Sequence, residues 1–151
     1  MAEPQKALQE SALNPMSCED SLMADVLTRY RKIAVVGLSP NDSRPSYGVT
    51  EYMLGQGYEI TGVRPGGHQR ILDRPCFERI AQVPAPLEIV NVFRASEFIP
   101  QLVDELIPLK PKEIWLQLGI SHPVAEAKAR AAGIPVISDR CILVEHRRLL
   151  G

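Results

Sequence analysis

The stretch KIAVVGLSPNDSRPSYGV, residues 32–49, decides the fold of this chain. Residues 32–37 form a short apolar run rich in β-branched side chains, which predicts a strand buried on both faces, as in a parallel sheet. A polar loop with two prolines follows, and Ser46 then opens a predicted helix that ends at Gly57. A buried strand that leads through a loop into a helix is typical of α/β proteins.

The same alternation continues along the rest of the chain. Apolar runs predict four further strands, and helical spacing of apolar residues predicts four further helices. The strands fall at 58–63, 87–93, 112–118 and 134–138, the helices at 18–30, 96–108, 122–132 and 141–149, with one short helix at 77–82. We therefore expect an α/β fold, a doubly wound parallel five-stranded sheet of order 3-2-1-4-5 with helices on both faces.

The composition sets the class of protein. A length of 151 residues predicts one domain, residues 17–151, after an N-terminal tail at residues 1–16. Hydrophobic residues make up 45% and charged residues 23%, which excludes a mostly disordered chain. No apolar run reaches membrane-spanning length, and the net charge of −1 lacks the basic excess of proteins that bind nucleic acid. We therefore expect neither a nucleic-acid nor a membrane partner, and any anion that the chain binds must be held by a local arrangement of residues.

The first residues lack the pattern of a secretory signal peptide. The three cysteines, Cys18, Cys76 and Cys141, are widely spaced and predict neither a disulfide framework nor a zinc site. We expect a cytoplasmic protein with reduced thiols.

In an open parallel sheet, ligands bind beyond the carboxyl ends of the strands. This rule selects five segments of the chain for inspection: 37–39, 64–67, 93–96, 117–121 and 139–141. The chemistry of their side chains indicates the class of ligand.

The first segment and the helix after it predict an anion site. Gly37 permits a tight exit from the strand, Ser39 offers a hydroxyl and a backbone N–H, and the start of the next helix presents free N–H groups. Arg44 precedes that helix and can add a bidentate contact to a phosphate. The structural alternative is that Arg44 is solvated and Ser46 serves only as an N-cap.

The end of the second strand indicates which nucleotide is favoured. The chain lacks the G-x-G-x-x-G fingerprint of dinucleotide sites, and it has Arg64 where an NAD site expects an acidic residue. A cation there fits a ribose that carries a phosphate, as in NADP or coenzyme A. The alternative is that Arg64 is an exposed loop residue.

Three further segments contribute candidate contacts. Phe93 can lie against a base and Arg94 can meet a phosphate, although Phe93 can equally just end a core strand. Gln117 can meet the amides of an extended ligand, or it can satisfy neighbouring backbone. Cys141 follows Arg140 near a predicted helix start, where both features favour a thiolate; the alternative is a buried apolar filler.

The histidines, His68, His122 and His146, stand in separate segments without metal-ligand spacing. No combination of nucleophile, base and orienting group is evident, so the sequence predicts no catalytic residues and no metal.

Six segments carry a family resemblance: IAVVGLS at 33–39, RPSYGV at 44–49, GYEITGVRP at 57–65, VNVFR at 90–94, WLQLGI at 115–120 and DRCI at 139–142. On these segments the chain resembles the small stand-alone CoA-binding proteins of bacteria and archaea, which look like the CoA-binding N-terminal domain of the succinyl-CoA synthetase α subunit. The family commonly has Pro-Val-Asn-Pro where this chain has Gly62-Val63-Arg64-Pro65.

The resemblance implies a Rossmann-like fold that binds coenzyme A or an acyl-CoA, without catalysis of its own. It places phosphates at the first loop and the RPS segment, adenosine near the second strand end and VFR, and the pantetheine arm beside QLG. With Cys141 from the residue-level reading, the cofactor-binding set is Gly37, Leu38, Ser39, Arg44, Pro45, Ser46, Tyr47, Arg64, Pro65, Phe93, Arg94, Gln117, Gly119 and Cys141. The alternatives are a small NADP-dependent oxidoreductase and a CoA-sensing regulatory subunit read by a protein partner; a homodimer is also open.

Overall fold

The computed structural model describes residues 17–66 and 70–151, and the centre of this part is a seven-stranded sheet. The predicted tail at 1–16, with Gly67 and His68, lies outside the described residues. The strands are β1 Lys32–Val36, β2 Glu59–Val63, β3 Arg70–Ile71, β4 Arg74–Phe77, β5 Ile89–Val92, β6 Glu113–Leu116 and β7 Val136–Ile137. Their order is β3-β4-β2-β1-β5-β6-β7, and every pair is parallel except β3 with β4.

The helices alternate with these strands. They are α1 Cys18–Arg29, α2 Pro45–Gly55, α3 Ile99–Leu106, α4 Pro123–Ala131 and α5 Ile142–Leu150. The predicted helix at 96–108 is α3 with a 3₁₀ turn at each end. The short helix predicted at 77–82 is wrong, because Phe77 ends β4 and only Ile80–Gln82 is helical, as a 3₁₀ turn.

The α/β Rossmann-like architecture is confirmed, but the order predicted for the five strands is wrong. The third predicted strand is β5, which pairs with β1 on the side away from β2. The place beside β2 belongs to β4, through the pairs Gly62–Cys76 and Val63–Phe77. With β4 counted, the six parallel strands follow the 3-2-1-4-5-6 order of doubly wound sheets.

Strand β4 was not predicted because it contains Pro75. Proline donates no hydrogen bond to a neighbouring strand and therefore argues against a strand. Here it is tolerated because β4 lies near the sheet edge, where only the two-residue β3 follows. Leu72 and Asp73 join β3 to β4 with positive φ angles of 52° and 60°. Such turns normally carry Asn-Gly or Asp-Gly, so Leu-Asp gave no hairpin signal.

Alternation along the strands divides the core between the two faces of the sheet. Ala34 and Val36 of β1 pack with α3 and α4, while Ile33 and Val35 pack with α1, α2 and α5. Trp115 of β6 is fully buried on the second face. Helices therefore cover both faces of the sheet, and the carboxyl ends of its strands lie between the two helix layers.

Candidate functional site

A cleft of about 670 Å³ opens at the carboxyl ends of the parallel strands. The ends of β1, β2, β5 and β6 meet here with the starts of α2 and α5. We call it the strand-end cleft, and it is lined by Gly37, Leu38, Ser39, Arg44, Pro45, Ser46, Val49, Arg64, Pro65, Phe93, Arg94, Ala95, Gln117, Leu118, Ile120 and Cys141. Twelve of the fourteen residues predicted from the sequence are in this lining.

The start of α2 faces the cleft without a side-chain cap. Arg44 occupies the N-cap position in extended backbone geometry and makes no capping hydrogen bond, and Pro45 is the first helical residue. Ser46 is therefore not the N-cap, contrary to the structural alternative. Its buried hydroxyl accepts a hydrogen bond from the Ser39 N–H at 3.0 Å, which ties the loop after β1 to the helix. A helix start of this kind is suited to an anion.

Gly37 is required by a close approach of two strand ends. Its φ is +89°, and a Cβ at this position would lie 2.7 Å from the carbonyl oxygen of Phe93. Its own N–H donates to the Val63 carbonyl at 2.7 Å. Only glycine fits both the left-handed backbone and the contact, so Gly37 lets the floor of the cleft close between β2 and β5.

Three guanidinium groups line the cleft without an acidic partner. Within residues 17–66 and 70–151, the side chains of Arg44, Arg64 and Arg94 make no hydrogen bond or ion pair. The Arg94 guanidinium instead lies 4.6 Å from the centroid of the Phe98 ring. Unpaired arginines grouped around an uncapped helix start give this cleft a local positive character that the net charge of −1 does not reveal.

Gln117 and Cys141 form the wall at the β6 side. Gln117 is 5% exposed, and its Oε1 accepts a hydrogen bond from the Ile142 N–H at 2.9 Å. That bond fixes the orientation of the carboxamide. Cys141 is the N-cap of α5 and is half-buried.

Arg140 does not support Cys141 as the sequence predicted. Its guanidinium hydrogen-bonds Glu19 on α1, with Glu145 of α5 at 4.0 Å. The charge is therefore committed to two carboxylates, and it ties α1 to α5. Of the two features predicted beside Cys141, the structure keeps only the helix start next to it.

Tyr47 and Gly119 are the two predicted residues absent from the cleft lining. Tyr47 packs against the core on the α2 face, about 100° around the helix from Ser46. Gly119 forms a turn with φ +83°, and its N–H donates to the Asp139 carboxylate at 2.7 Å.

Sequence reasoning missed four lining residues, Val49, Ala95, Leu118 and Ile120. Val49 follows Ser46 by three positions and so shares its helix face, which is a usable signal. Leu118 is the last residue of the strand predicted at 112–118, and its large apolar side chain is 68% exposed.

A second cavity of about 860 Å³ adjoins the cleft beyond the ends of β2 and β5. We call it the adjoining cavity. It shares Arg64, Pro65 and Arg94 with the cleft, and its own lining includes Arg79, Phe98, Gln101 and Glu105. The two spaces meet at these three shared residues.

The two described histidines, His122 and His146, each have a hydrogen-bond partner within the protein. His122 is the N-cap of α4, and its Nδ1 accepts from the Ala125 N–H at 3.1 Å. His146 is buried, and its Nδ1 is 2.9 Å from the Tyr52 hydroxyl. In the part of the chain that the structure describes, no group of three or more His, Cys, Asp or Glu is arranged to hold a metal. None of the helices among these residues has the length and apolar character to cross a membrane.

Known proteins are similar to this one over most of the chain. A curated relative, the uncharacterized protein YneT of Bacillus subtilis (strain 168), is 35% identical over 133 residues, covering 88% of this chain and 96% of its own length. A solved structure from Thermus thermophilus (cell-free ID.343) is 34% identical with a TM-score of 0.83, covering 87% of this chain and 98% of that one. A hypothetical protein from Pyrococcus horikoshii OT3 gives the same identity and TM-score, covering 87% and 92%.

The family comparison agrees with the chemistry of the cleft. A family model described as a CoA binding domain matches residues 31–147, from just before β1 to within α5. The match includes every residue of both cavities. The chain therefore belongs to the CoA-binding domain family.

Proposed function

We propose that the strand-end cleft and the adjoining cavity together bind one molecule of coenzyme A, as the free thiol or as an acyl thioester. The observation that carries the proposal is the set of unpaired arginines around the uncapped start of α2, at the open carboxyl edge of the sheet. This arrangement fits a small, highly charged ligand. The proposal assigns binding and no reaction to the site.

The phosphates are proposed to lie at the start of α2. Pro45 has no N–H and the Tyr47 N–H donates to the Arg44 carbonyl, so Ser46 carries the N–H left for an anion in these first three positions. Ser46 and Arg44 line the same space, and the bond between Ser46 and Ser39 holds the loop in place. A charge-assisted contact from arginine to phosphate is about twice as strong as a neutral hydrogen bond. Arg44 is therefore the residue whose loss should weaken binding most.

Adenosine is proposed to occupy the adjoining cavity. Arg64 lies at the boundary between the two spaces, where it can reach a phosphate on the ribose. The exposed ring of Phe98, already stacked with Arg94, offers an aromatic surface in this cavity. The pantetheine arm then runs the other way, towards Gln117 and Cys141.

Isothermal titration calorimetry with CoA, dephospho-CoA and NADP tests the proposal. We expect Arg44→Gln to weaken CoA binding by roughly 10- to 100-fold, which corresponds to losing a charged hydrogen bond of about 1.5–3 kcal/mol. Arg64→Gln should weaken CoA binding but leave dephospho-CoA binding unchanged. Arg74→Gln is the matched control, since Arg74 is exposed on β4 and lines neither cavity.

Three outcomes would overturn parts of the proposal. Absence of CoA binding at millimolar concentration would reject the function itself. Equal affinity for CoA and dephospho-CoA would reject the role of Arg64 at a ribose phosphate. Tighter binding of NADP than of CoA would assign the cleft to a dinucleotide instead.

A further inference from the structure

The geometry points to a second, covalent mode of binding: we infer that Cys141 captures the disulfide form of coenzyme A by thiol–disulfide exchange. This inference rests on the proposed function, because the cleft must first hold the nucleotide. The ligand class is a symmetrical disulfide of two CoA molecules. The product is a protein with one CoA attached to Cys141 through a mixed disulfide.

Cys141 follows β7 at one side of the sheet, whereas Arg64, which is shared with the adjoining cavity, follows β2 on the other side of β1. Arg64, Pro65 and Arg94 line both spaces, whereas Gln117 and Cys141 line only the strand-end cleft. With the adenosine in the adjoining cavity and the phosphates at α2, the sulfur end of CoA points to this wall. The thiol of Cys141 makes no hydrogen bond within the described residues.

The backbone on both sides of Cys141 is held in place by four hydrogen bonds. The Asp139 N–H donates to Ile120, and the Arg140 N–H donates to Leu116. The Trp115 indole N–H donates to the Arg140 carbonyl at 2.8 Å, and the Ile142 N–H donates to Gln117 Oε1 at 2.9 Å. The thiol is thus presented from a fixed position, which lowers the entropic cost of bringing it to a bound sulfur.

Gln117 supplies an independent indication that a ligand reaches this wall. Its side chain is 95% buried (5% exposed), and its Oε1 is occupied by the start of α5. Its amide Nε2 donates no hydrogen bond within residues 17–66 and 70–151, although Gln117 lines the cleft. This donor is not fully buried but reaches the surface of the cleft, where a ligand oxygen can accept its hydrogen bond. The amide carbonyls of a pantetheine arm are acceptors of this kind.

The exchange conserves atoms and electrons without any further oxidant. Cys141 loses its proton to solvent, and its sulfur attacks one sulfur of the bound CoA disulfide. The S–S bond of that disulfide breaks as the bond between Cys141 Sγ and CoA forms. The second CoA leaves as a thiolate and takes up a proton, so one disulfide is consumed and one is made.

The other cysteines differ in ways that make them controls. Cys18 is exposed at the start of α1 and lies outside the lining of either cavity. Cys76 lies on β4 and packs closely against Gly62. A Cβ atom added at Gly62 would lie 3.1 Å from the sulfur of Cys76. Exposure alone therefore favours reaction at Cys18, whereas recognition by the cleft favours Cys141.

Intact mass spectrometry of the full chain with CoA disulfide, and separately with glutathione disulfide, tests the inference. We expect one CoA adduct on the wild type and on Cys18→Ser, none on Cys141→Ser, and reversal by a thiol reductant. Peptide mapping should place the adduct on Cys141. The rate with CoA disulfide should exceed that with glutathione disulfide by at least tenfold, because the cleft binds the nucleotide before the exchange.

An adduct that persists in Cys141→Ser, or equal rates with the two disulfides, would overturn the inference. Calorimetry of the wild type with reduced CoA separates the two proposals. If the wild type binds CoA but forms no adduct with CoA disulfide, covalent capture is wrong and the proposed function stands. If the wild type does not bind CoA, the proposed function fails first.

Discussion

Glu113 should make the stability of this protein fall as the pH rises through neutrality. It is the first residue of β6, it is 1% exposed, and its Oε2 has no hydrogen-bond partner. Burial raises the pKa of its carboxyl from 4.5 to about 8, against a smaller opposing effect of Arg130. The Arg130 guanidinium is itself engaged, with Glu126 at 3.6 Å and the Val136 carbonyl at 3.0 Å.

The sign and size of the effect follow from proton linkage. Between pH 4.5 and 8 the folded protein keeps a proton on Glu113 that the unfolded chain releases, so each added pH unit favours unfolding. The expected slope is about −1.4 kcal/mol per pH unit, or roughly 3 kcal/mol between pH 5.5 and 7.5. Glu113→Gln retains the shape and cannot ionise, so it should lose this slope.

Urea denaturation of both proteins at several pH values measures the difference. Other titrating groups contribute equally to wild type and variant and cancel in the comparison. Glu51→Gln, an exposed site on α2, should give a curve parallel to the wild type. If the Glu113→Gln and wild-type curves are also parallel between pH 5.5 and 7.5, Glu113 is ionised in the folded protein and the reasoning is refuted.

Three further predictions concern the cleft and its supports. Gly37→Ala and Gly57→Ala both place alanine at positive φ, which costs about 1–2 kcal/mol. Gly37→Ala should lower the free energy of unfolding further because its Cβ meets the Phe93 carbonyl, and equal losses in urea denaturation would contradict this. Burial lowers the pKa of His146, with a smaller contribution from Arg31, so its NMR titration midpoint should lie below 6.5 and the stability it contributes should be lost as the pH falls through that region. Trp115→Phe removes the donor to the Arg140 carbonyl and should lower the free energy of unfolding by about 1–3 kcal/mol; a loss under about 0.5 kcal/mol would mean that solvent replaces the bond.

The parts of the fold that the sequence predicts are those where burial dominates. The apolar run of β1 must be covered on both faces, and its composition shows this directly. The hairpin of β3 and β4 escapes prediction because its stability comes from neighbours in the sheet. Neither Pro75 nor the Leu72-Asp73 turn favours such a hairpin on local grounds.

The site divides in a similar way. Residues that follow a strand, such as Gly37, Arg64 and Gln117, are found by the rule that ligands bind at carboxyl ends. The extension of the site into the adjoining cavity is not, because Gln101 and Glu105 reach it from the side of α3. The ion pair of Arg140 with Glu19 could not be predicted either, because the two residues are 121 positions apart in the chain.

The short edges of the sheet limit how this protein can pair with other polypeptides. Strands with open N–H and C=O groups are templates for intermolecular pairing, which leads to aggregation. In the described residues the sheet ends on β3 at one side and β7 at the other, and each is two residues long. A strand from another chain could therefore form few hydrogen bonds with either edge, because the longer apolar strands lie inside the sheet. Melting the β3–β4 hairpin would uncover the edge of β2, so that hairpin shields β2 from pairing with another chain.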